Sequence, residues 1–257
     1  MKQLNNDDVY VSASGLDAFF YCPAKYAFSR EWTPKFLPAA LKNGSDAHAV
    51  LAGKMQPPPT TSGLEYARAL KEMEVECGYT VEKREFTQMV ELAPHLYLKR
   101  IIDAVGHRAI IGFDGNHTIY PVLIDYKTSA RGMWPEFDNI VPQAMGFQAV
   151  AYLIPPTDPE DFWYAEWPDQ IDFLVSNQAR IHRIYSYSLL NHAEDLDNFM
   201  DAAKIMGGAI LKGRFPKKRG SQCASLTSDW DCPYLHLCFE AKGWEECYDR
   251  RTHNEED

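Results

Sequence analysis

Between residues 79 and 128 the chain passes through three stretches rich in β-branched and apolar side chains, 79–92, 95–105 and 119–128. Turn-forming residues such as Asp114-Gly115-Asn116 part them, and short apolar runs bounded in this way read as strands. Three in succession form a meander. Helical spacing lies on either side of it: residues 12–30, interrupted near Pro23 and opened by a Ser-Ala-Ser N-cap signal; residues 41–55, ended by the prolines at 57–59; and residues 63–73. After the meander come a helix over 141–153, strands over 170–175 and 180–187, and a long helix over 189–212. The order is helix, three strands, helix, strand. Elements beyond Pro216 are short and irregular, so the last forty or so residues form a cysteine-bearing appendage.

At 257 residues the chain can bury one full core. Its 46% hydrophobic and 24% charged content is ordinary for a globular protein. It contains no apolar run near the roughly 18 residues of a membrane span, and Met1 to Asp7 is polar and acidic, unlike a signal peptide. A cytoplasmic protein without membrane contact is expected. The net charge of -10 argues against a generally basic, nucleic-acid-coating surface. Much of that acidity sits in Glu245, Glu246 and residues 254–257. Any nucleic-acid contact therefore needs a local basic groove, drawn from Lys99, Arg100, Lys127, Arg131, Lys212, Arg214, Lys217, Lys218 and Arg219.

The sharpest chemical signal is Ile124-Asp125-Tyr126-Lys127 at the end of one apolar strand, preceded by Ile102-Asp103-Ala104 near the end of another. Residues two apart share a face of a strand, so Asp125 and Lys127 point the same way. Hard divalent cations prefer oxygen ligands, and Asp103, Asp125 and the Tyr126 carbonyl form a set that suits Mg2+ or Mn2+ beside a phosphate. Lys127 is then placed to orient an attacking water or stabilise the charge of the transition state. Taken alone, an Asp-x-Lys triplet is common. His48 among alanines would alone read as packing or surface, and Gln148 with Tyr152, four apart on a helix, as amphipathic packing.

In order along the chain, Asn43-Gly44-Ser45-Asp46-Ala47-His48, Ile102-Asp103, Asp125-Tyr126-Lys127 and Gln148-Ala149-Val150-Ala151-Tyr152 resemble the motifs of RecB-like PD-(D/E)XK nucleases. The resemblance implies an α/β, restriction-endonuclease-like core, a mixed central sheet flanked by helices. It also implies metal binding by His48, Asp103, Asp125 and Tyr126, catalysis by Lys127 with both aspartates, and action of Gln148 and Tyr152 near a DNA end. Two positions depart from or extend the pattern. Lys99-Arg100 stands where the family usually has a small residue before the strand aspartate, a basic pair that either touches the DNA backbone or faces solvent. Glu85 matches a position that is often acidic in related exonucleases.

Six cysteines in a cytosolic chain are seldom disulfides, and grouped ones more often hold a metal. Cys22 lies near the start; Cys223, Cys232 and Cys238 lie near the end. This layout resembles the iron-sulfur subgroup of the same family, which includes a helicase-nuclease subunit and the CRISPR-associated exonuclease of spacer acquisition. A 4Fe-4S cluster on Cys22, Cys223, Cys232 and Cys238 is implied, clasping residues 12–30 to 220–247 around a catalytic core of 40–215 within one domain of 1–257. The spacing before Cys232 is stretched, with Asp229 where a cysteine usually stands. Asp229 and Cys247 are therefore alternatives to Cys223, and zinc is the competing metal. Cys77, like Cys247 if it is not a ligand, reads as an inert thiol.

Two functions follow. The first is a Mg2+- or Mn2+-dependent exonuclease on single-stranded DNA or exposed DNA ends, with the 5′ end favoured by the CRISPR-associated resemblance. Phe19, Phe20, Tyr126, Trp134 and Tyr152 are candidates to stack on unpaired bases. The second is a catalytically silent nuclease-like module that binds DNA ends and docks a replication, recombination or CRISPR adaptation partner.

Overall fold

The computed structural model describes residues 8–35, 39–54, 58–112, 115–129, 147–157, 167–177, 182–218, 232–240, 245 and 247–251. Its spine is a hairpin of two long strands, β3 (Tyr79–Ala93) and β4 (Leu96–Ile111), antiparallel along their whole length. On its other side β4 pairs twice. Its first residues run parallel to β1 (Val9–Val11), with Val9 opposite Leu96 and Val11 opposite Leu98. Its second half pairs antiparallel with β5 (His117–Ser129), from Ala104 opposite Ile124 to Ile111 opposite His117. Beyond β5 the sheet continues with β6 (Gln170–Asn177), parallel to β5, and β7 (His182–Ser188), antiparallel to β6. The result is a mixed sheet of six strands among the described residues. The expected meander and the two later strands are present. β1 is too short to carry an alternation signal, and sequence reasoning did not find it.

Helices cover both faces, because alternate residues of the central strands are apolar on both sides. Leu123, Ile171 and Phe173 join a core with Leu16 and Phe19 of α1 (Ala13–Tyr21), Val150 of α5 (Phe147–Leu153), and Phe199 and Met206 of α6 (Ala193–Leu211). Val122, Ile124, Tyr126 and Leu174 point the other way and pack on Leu70 and Met73 of α4 (Thr61–Glu76). There α3 (Ala39–Leu51) packs on α4 through Ala47, Tyr66 and Ala67. Such two-sided covering makes the fold α/β. No helix among the described residues is long and apolar enough to cross a membrane.

Local signals explain the ends of these helices. Ser12 caps α1 by accepting from the Gly15 amide at 3.1 Å. The break expected near Pro23 falls at Cys22, in extended backbone, and Pro23 opens α2 (Pro23–Glu31), where its missing amide costs nothing. Helix α3 ends earlier than its prolines suggest: it stops at Leu51, where Gly53 takes φ +78 and its amide reaches the Val50 carbonyl. The expected long helix starts as a 3-10 turn, Leu189–Asn191, before α6 begins. Of the helix expected over 141–153, residues 141–146 lie outside the described residues.

The two chain ends meet. β2 (Trp32–Pro34) pairs antiparallel with β8 (Tyr248–Arg250), and Tyr234 and Leu237, the latter in α7 (Leu235–Cys238), pack with Phe28 and Trp32. The terminal segments are thus in direct contact beside the sheet.

Gly106 sits mid-strand where β3 crosses closely: a Cβ there would stand 2.0 Å from the Thr80 carbonyl oxygen and 2.9 Å from Val81 Cα. Gly208, inside α6, has nothing within 4 Å of such a carbon. Gly106→Ala should therefore destabilise the protein by about 1–3 kcal/mol through backbone displacement. Gly208→Ala should stabilise it by roughly 0.5–1 kcal/mol through helix propensity. Urea unfolding of both variants checks the contrast, and equal effects would contradict this account of the β3–β4 approach.

Candidate active site

The β4–β5 ladder stops at Ala104 and Ile124, and the next residue on each strand toward the opening is an aspartate, Asp103 and Asp125. Where the strands part, Asp103 replaces the missing ladder bond: its Oδ2 accepts from the Tyr126 amide at 2.9 Å. Its Oδ1 meets His48 Nδ1 at 3.2 Å. His48 comes from α3, on the opposite side of the sheet from α5, and its ring lies edge-on to Tyr126. Gly44, four residues before His48, lets α3 come down onto β5, since a Cβ there would fall 2.8 Å from Thr128 Oγ1.

Asp125 is 1% exposed and shares the Leu123 face, toward α5. Gln148 of α5 donates from Nε2 to Asp125 Oδ1 at 2.9 Å and lies 3.0 Å from the Tyr152 hydroxyl. The other oxygen, Oδ2, lies 2.5 Å from Lys127 Nζ, but no hydrogen bond of proper angle reaches it among the described residues. The fold thus brings His48, Asp103, Asp125, Lys127, Gln148 and Tyr152 to one place, from four strand and helix segments far apart in sequence. Among the described residues, no three His, Cys, Asp or Glu side chains stand ready as a metal-holding group. His48 and Asp103 are engaged with one another, and Asp125 with Lys127 and Gln148.

The electrostatics follow from burial. Loss of water pushes the Asp125 carboxyl up to about 6, against the pull of Lys127 and with help from the charge of Asp103. Burial lowers His48, but the bond to Asp103 and the charges of both aspartates outweigh it, so the imidazole is held above its ordinary value. Burial, then the nearby aspartates, raises the Tyr152 hydroxyl, which stays protonated.

Several expectations change. Arg100 neither touches solvent nor is placed to meet DNA: it is 3% exposed and bonds inside the protein. Its side chain falls on the inward parity between Leu98 and Ile102, a signal that was present in the strand pattern. Phe19 and Tyr126 are buried and so are not surfaces for stacking, whereas Phe20 is 36% exposed. Tyr152 is also buried, at 7%. Glu85 pairs with Lys54 and has φ +38, an uncommon backbone for a glutamate, on the strand beside Asp103. Lys217 and Lys218 donate to the carbonyls of Cys238 and Phe20. Arg131, Trp134, Arg219, Cys223 and Asp229 lie outside the described residues.

Sequence reasoning also missed the supports. Glu74, 2% exposed, receives Arg84 Nη2 at 2.8 and 2.6 Å and the Tyr126 hydroxyl, and Arg84 Nη1 reaches that hydroxyl at 2.6 Å. These bonds pull Glu74 below the usual carboxylate range despite burial, and they pin Tyr126 between the two aspartates. Within the first motif, Asn43 and Asp46 hold Thr60, the N-cap of α4: Asp46 Oδ2 accepts from the Thr60 amide at 2.8 Å, and Asn43 Oδ1 from its hydroxyl at 2.9 Å.

Cys22, Cys232 and Cys238 line one pocket with Tyr21, Phe28 and Tyr234. Cys247 packs nearby, against Tyr234 and Leu237. Cys77 caps α4 and packs against the core, remote from that pocket in the fold.

No family model matches the chain, and no curated protein matches it. Among solved structures, the crystal structure of a protein from Eubacterium rectale, provisionally assigned as an exonuclease, covers 95% of this chain and 100% of its own, at 12% identity and a TM-score of 0.43. At that level the likeness says nothing about the chemistry of the site.

The raised Asp125 carboxyl predicts a stability effect that needs no substrate. Between about pH 4 and 6 the native protein keeps a proton that the unfolded chain has lost, so this group makes stability fall as pH rises through that window. Asp125→Asn removes the penalty. In EDTA it should equal wild type near pH 4 and exceed it by roughly 1–3 kcal/mol above pH 6 in urea unfolding. A variant no more stable than wild type at pH 7.5 would contradict the burial argument.

Proposed function

We propose that the chain is a divalent-metal-dependent deoxyribonuclease of the PD-(D/E)XK type, acting as an exonuclease on single-stranded or end-exposed DNA, from the 5′ end. The observation that carries this reading is the meeting of Asp103, Asp125 and Lys127 where two strands part, with an oxygen of buried Asp125 lacking a proper hydrogen bond. A buried carboxylate kept at such a cost suits a cation more than a fold. His48, Asp103, Asp125 and the Tyr126 carbonyl would hold Mg2+ or Mn2+, a hard donor set with one imidazole. When bound, the ion supplies charge neutralisation at the phosphate and a lowered pKa for the attacking water.

The chain's own residues do the rest. Lys127, at 2.5 Å from Asp125, carries its ammonium on the face where substrate would lie and balances charge on the phosphoryl oxygens as it builds up. Gln148 holds Asp125 Oδ1, and Oδ2 lies beside the Lys127 ammonium. The Tyr152 hydroxyl accepts from Gln148 Nε2 and, raised by burial, keeps its proton in the working range. A 4Fe-4S cluster on Cys22, Cys232 and Cys238, with Cys223 as the fourth ligand and Asp229 or Cys247 as alternatives, would close the contact between the chain ends. The shared pocket of the three described thiols supports this assignment.

The second reading, a silent module binding DNA ends beside a replication, recombination or CRISPR adaptation partner, is favoured by the net charge of -10. The two separate by assay. Labelled single-stranded DNA should be degraded with Mn2+ and spared with EDTA. Asp125→Ala or Lys127→Ala should lower the rate by at least about 100-fold, and blocking the 5′ end should stop release. DNA binding without cleavage under every metal tried selects the silent module. Separately, purified protein should be brown with broad visible absorbance, and Cys232→Ala should bleach it. Colourless, zinc-containing protein of normal stability would rule out the cluster.

A further inference from the structure

We propose that Arg100 is a positioning residue for Asp125, acting through helix α5 and Gln148; its kinetic consequence, though not its structural one, rests on the nuclease reading. A cation that is 3% exposed is costly unless its donors are satisfied. Here Nη1 donates to the carbonyls of Ala151 at 2.7 Å, Tyr152 at 3.0 Å and Ile154 at 2.5 Å. Nε and Nη2 donate to Gln88 Oε1 at 3.1 and 2.9 Å. The guanidinium lies 4.5 Å from the centre of the Trp167 ring, and Trp167 Nε1 donates to the same Tyr152 carbonyl at 3.2 Å.

These carbonyls are at the end of α5, where a helix leaves its last oxygens without helical partners and carries partial negative charge. Most of a helix's stability in a protein comes from its tertiary packing, so what grips its end sets its orientation. Arg100 is that grip at the C-terminal end. Gln148 sits one turn earlier on the same helix as Tyr152, and any rotation or slide of α5 moves Nε2 off Asp125 Oδ1. Arg100 stands on β4 three residues before Asp103, so one strand delivers the first aspartate directly and sets the partner of the second through α5. The role needs a planar fork that reaches Gln88 and α5 at once; a lysine ammonium offers one point of attachment.

The test uses Arg100→Lys in the full chain, alone and with Gln148→Ala. In wild type the Gln148 side-chain amide, identified in nitrogen–proton correlation spectra by its loss in Gln148→Ala, should carry the shift of a bond to a carboxylate. That shift should collapse in Arg100→Lys. In Mn2+ assays kcat should fall at least about tenfold with KM for DNA within about twofold, and in the Gln148→Ala background the same change should cost less than about twofold more. A purely structural role would instead give losses of equal size in both backgrounds, which would overturn the proposal. If Arg100→Lys fails to fold, Trp167→Phe removes one bond to the Tyr152 carbonyl and should give the same pattern at about threefold. A Gln148 amide resonance unmoved in the variants that fold would also overturn it. Wild-type protein that cleaves no DNA would sink the nuclease reading while leaving the Arg100 role to be decided by the resonance alone.

Discussion

The separation of β4 from β5 after Ala104 and Ile124 is the constraint on which the rest of the site depends. Two strands that stop pairing inside a sheet leave amides and carbonyls without partners, a cost that must be met locally. Asp103 meets it by accepting from the Tyr126 amide, and in doing so fixes its own carboxylate at the mouth of the opening. Beyond that point β5 stays paired with β6 on its other side, and strand alternation puts Asp125 on the α5 face. A continuous ladder would hold these residues in a flat sheet with no room for a substrate.

Buried polar groups on the α4 face of the sheet hold the strands around that opening. On the α4 side, Glu74, Arg84 and the Tyr126 hydroxyl form a bonded cluster that anchors the residue between the two aspartates. On β6, Asp172 is fully buried and accepts from Tyr79, Arg108, Gln170 and Ser186, at 2.7, 2.9, 2.8 and 2.6 Å. A carboxylate so fully bonded is satisfied, and it ties β3, β4, β6 and β7 together. Asp125 is the contrast: equally buried, one residue from the splay, raised toward 6, and with one oxygen short of a proper bond. The two differ in how fully their oxygens are bonded: Asp172 has four donors, whereas Asp125 has Gln148 and the Lys127 ammonium.

What the sequence disclosed followed physical signal strength. The meander was legible because its strands are long and apolar and are parted by turn-formers. Asp125 and Lys127 were legible because opposite charges two residues apart stand out at the end of an apolar strand. β1, β2 and β8, of three residues each, carry too little pattern to be found alone, and their pairing joins segments far apart in the chain. The end of α3 was misplaced because prolines are conspicuous, whereas a glycine in left-handed backbone after Leu51 is an ordinary glycine until its dihedral is known. Arg100 was misread for a related reason: a charged residue suggests surface, and only its parity with Leu98 and Ile102 revealed that it points inward. The partners that make its burial tolerable, the carbonyls ending α5, come from fifty residues away and leave no local trace.

The acidity of the chain also takes a definite form once these side chains are placed. Of the basic residues that composition offers for a nucleic-acid groove, Arg100 is consumed by α5, Lys127 by Asp125, and Lys217 and Lys218 by backbone carbonyls. Lys212 and Arg214, just past α6, are exposed, so on the nuclease reading a local basic patch, and not the net charge of -10, would have to attract phosphate. On the proposed nuclease reading, a divalent ion held at the opening would add positive charge next to Lys127, where phosphate would have to be held.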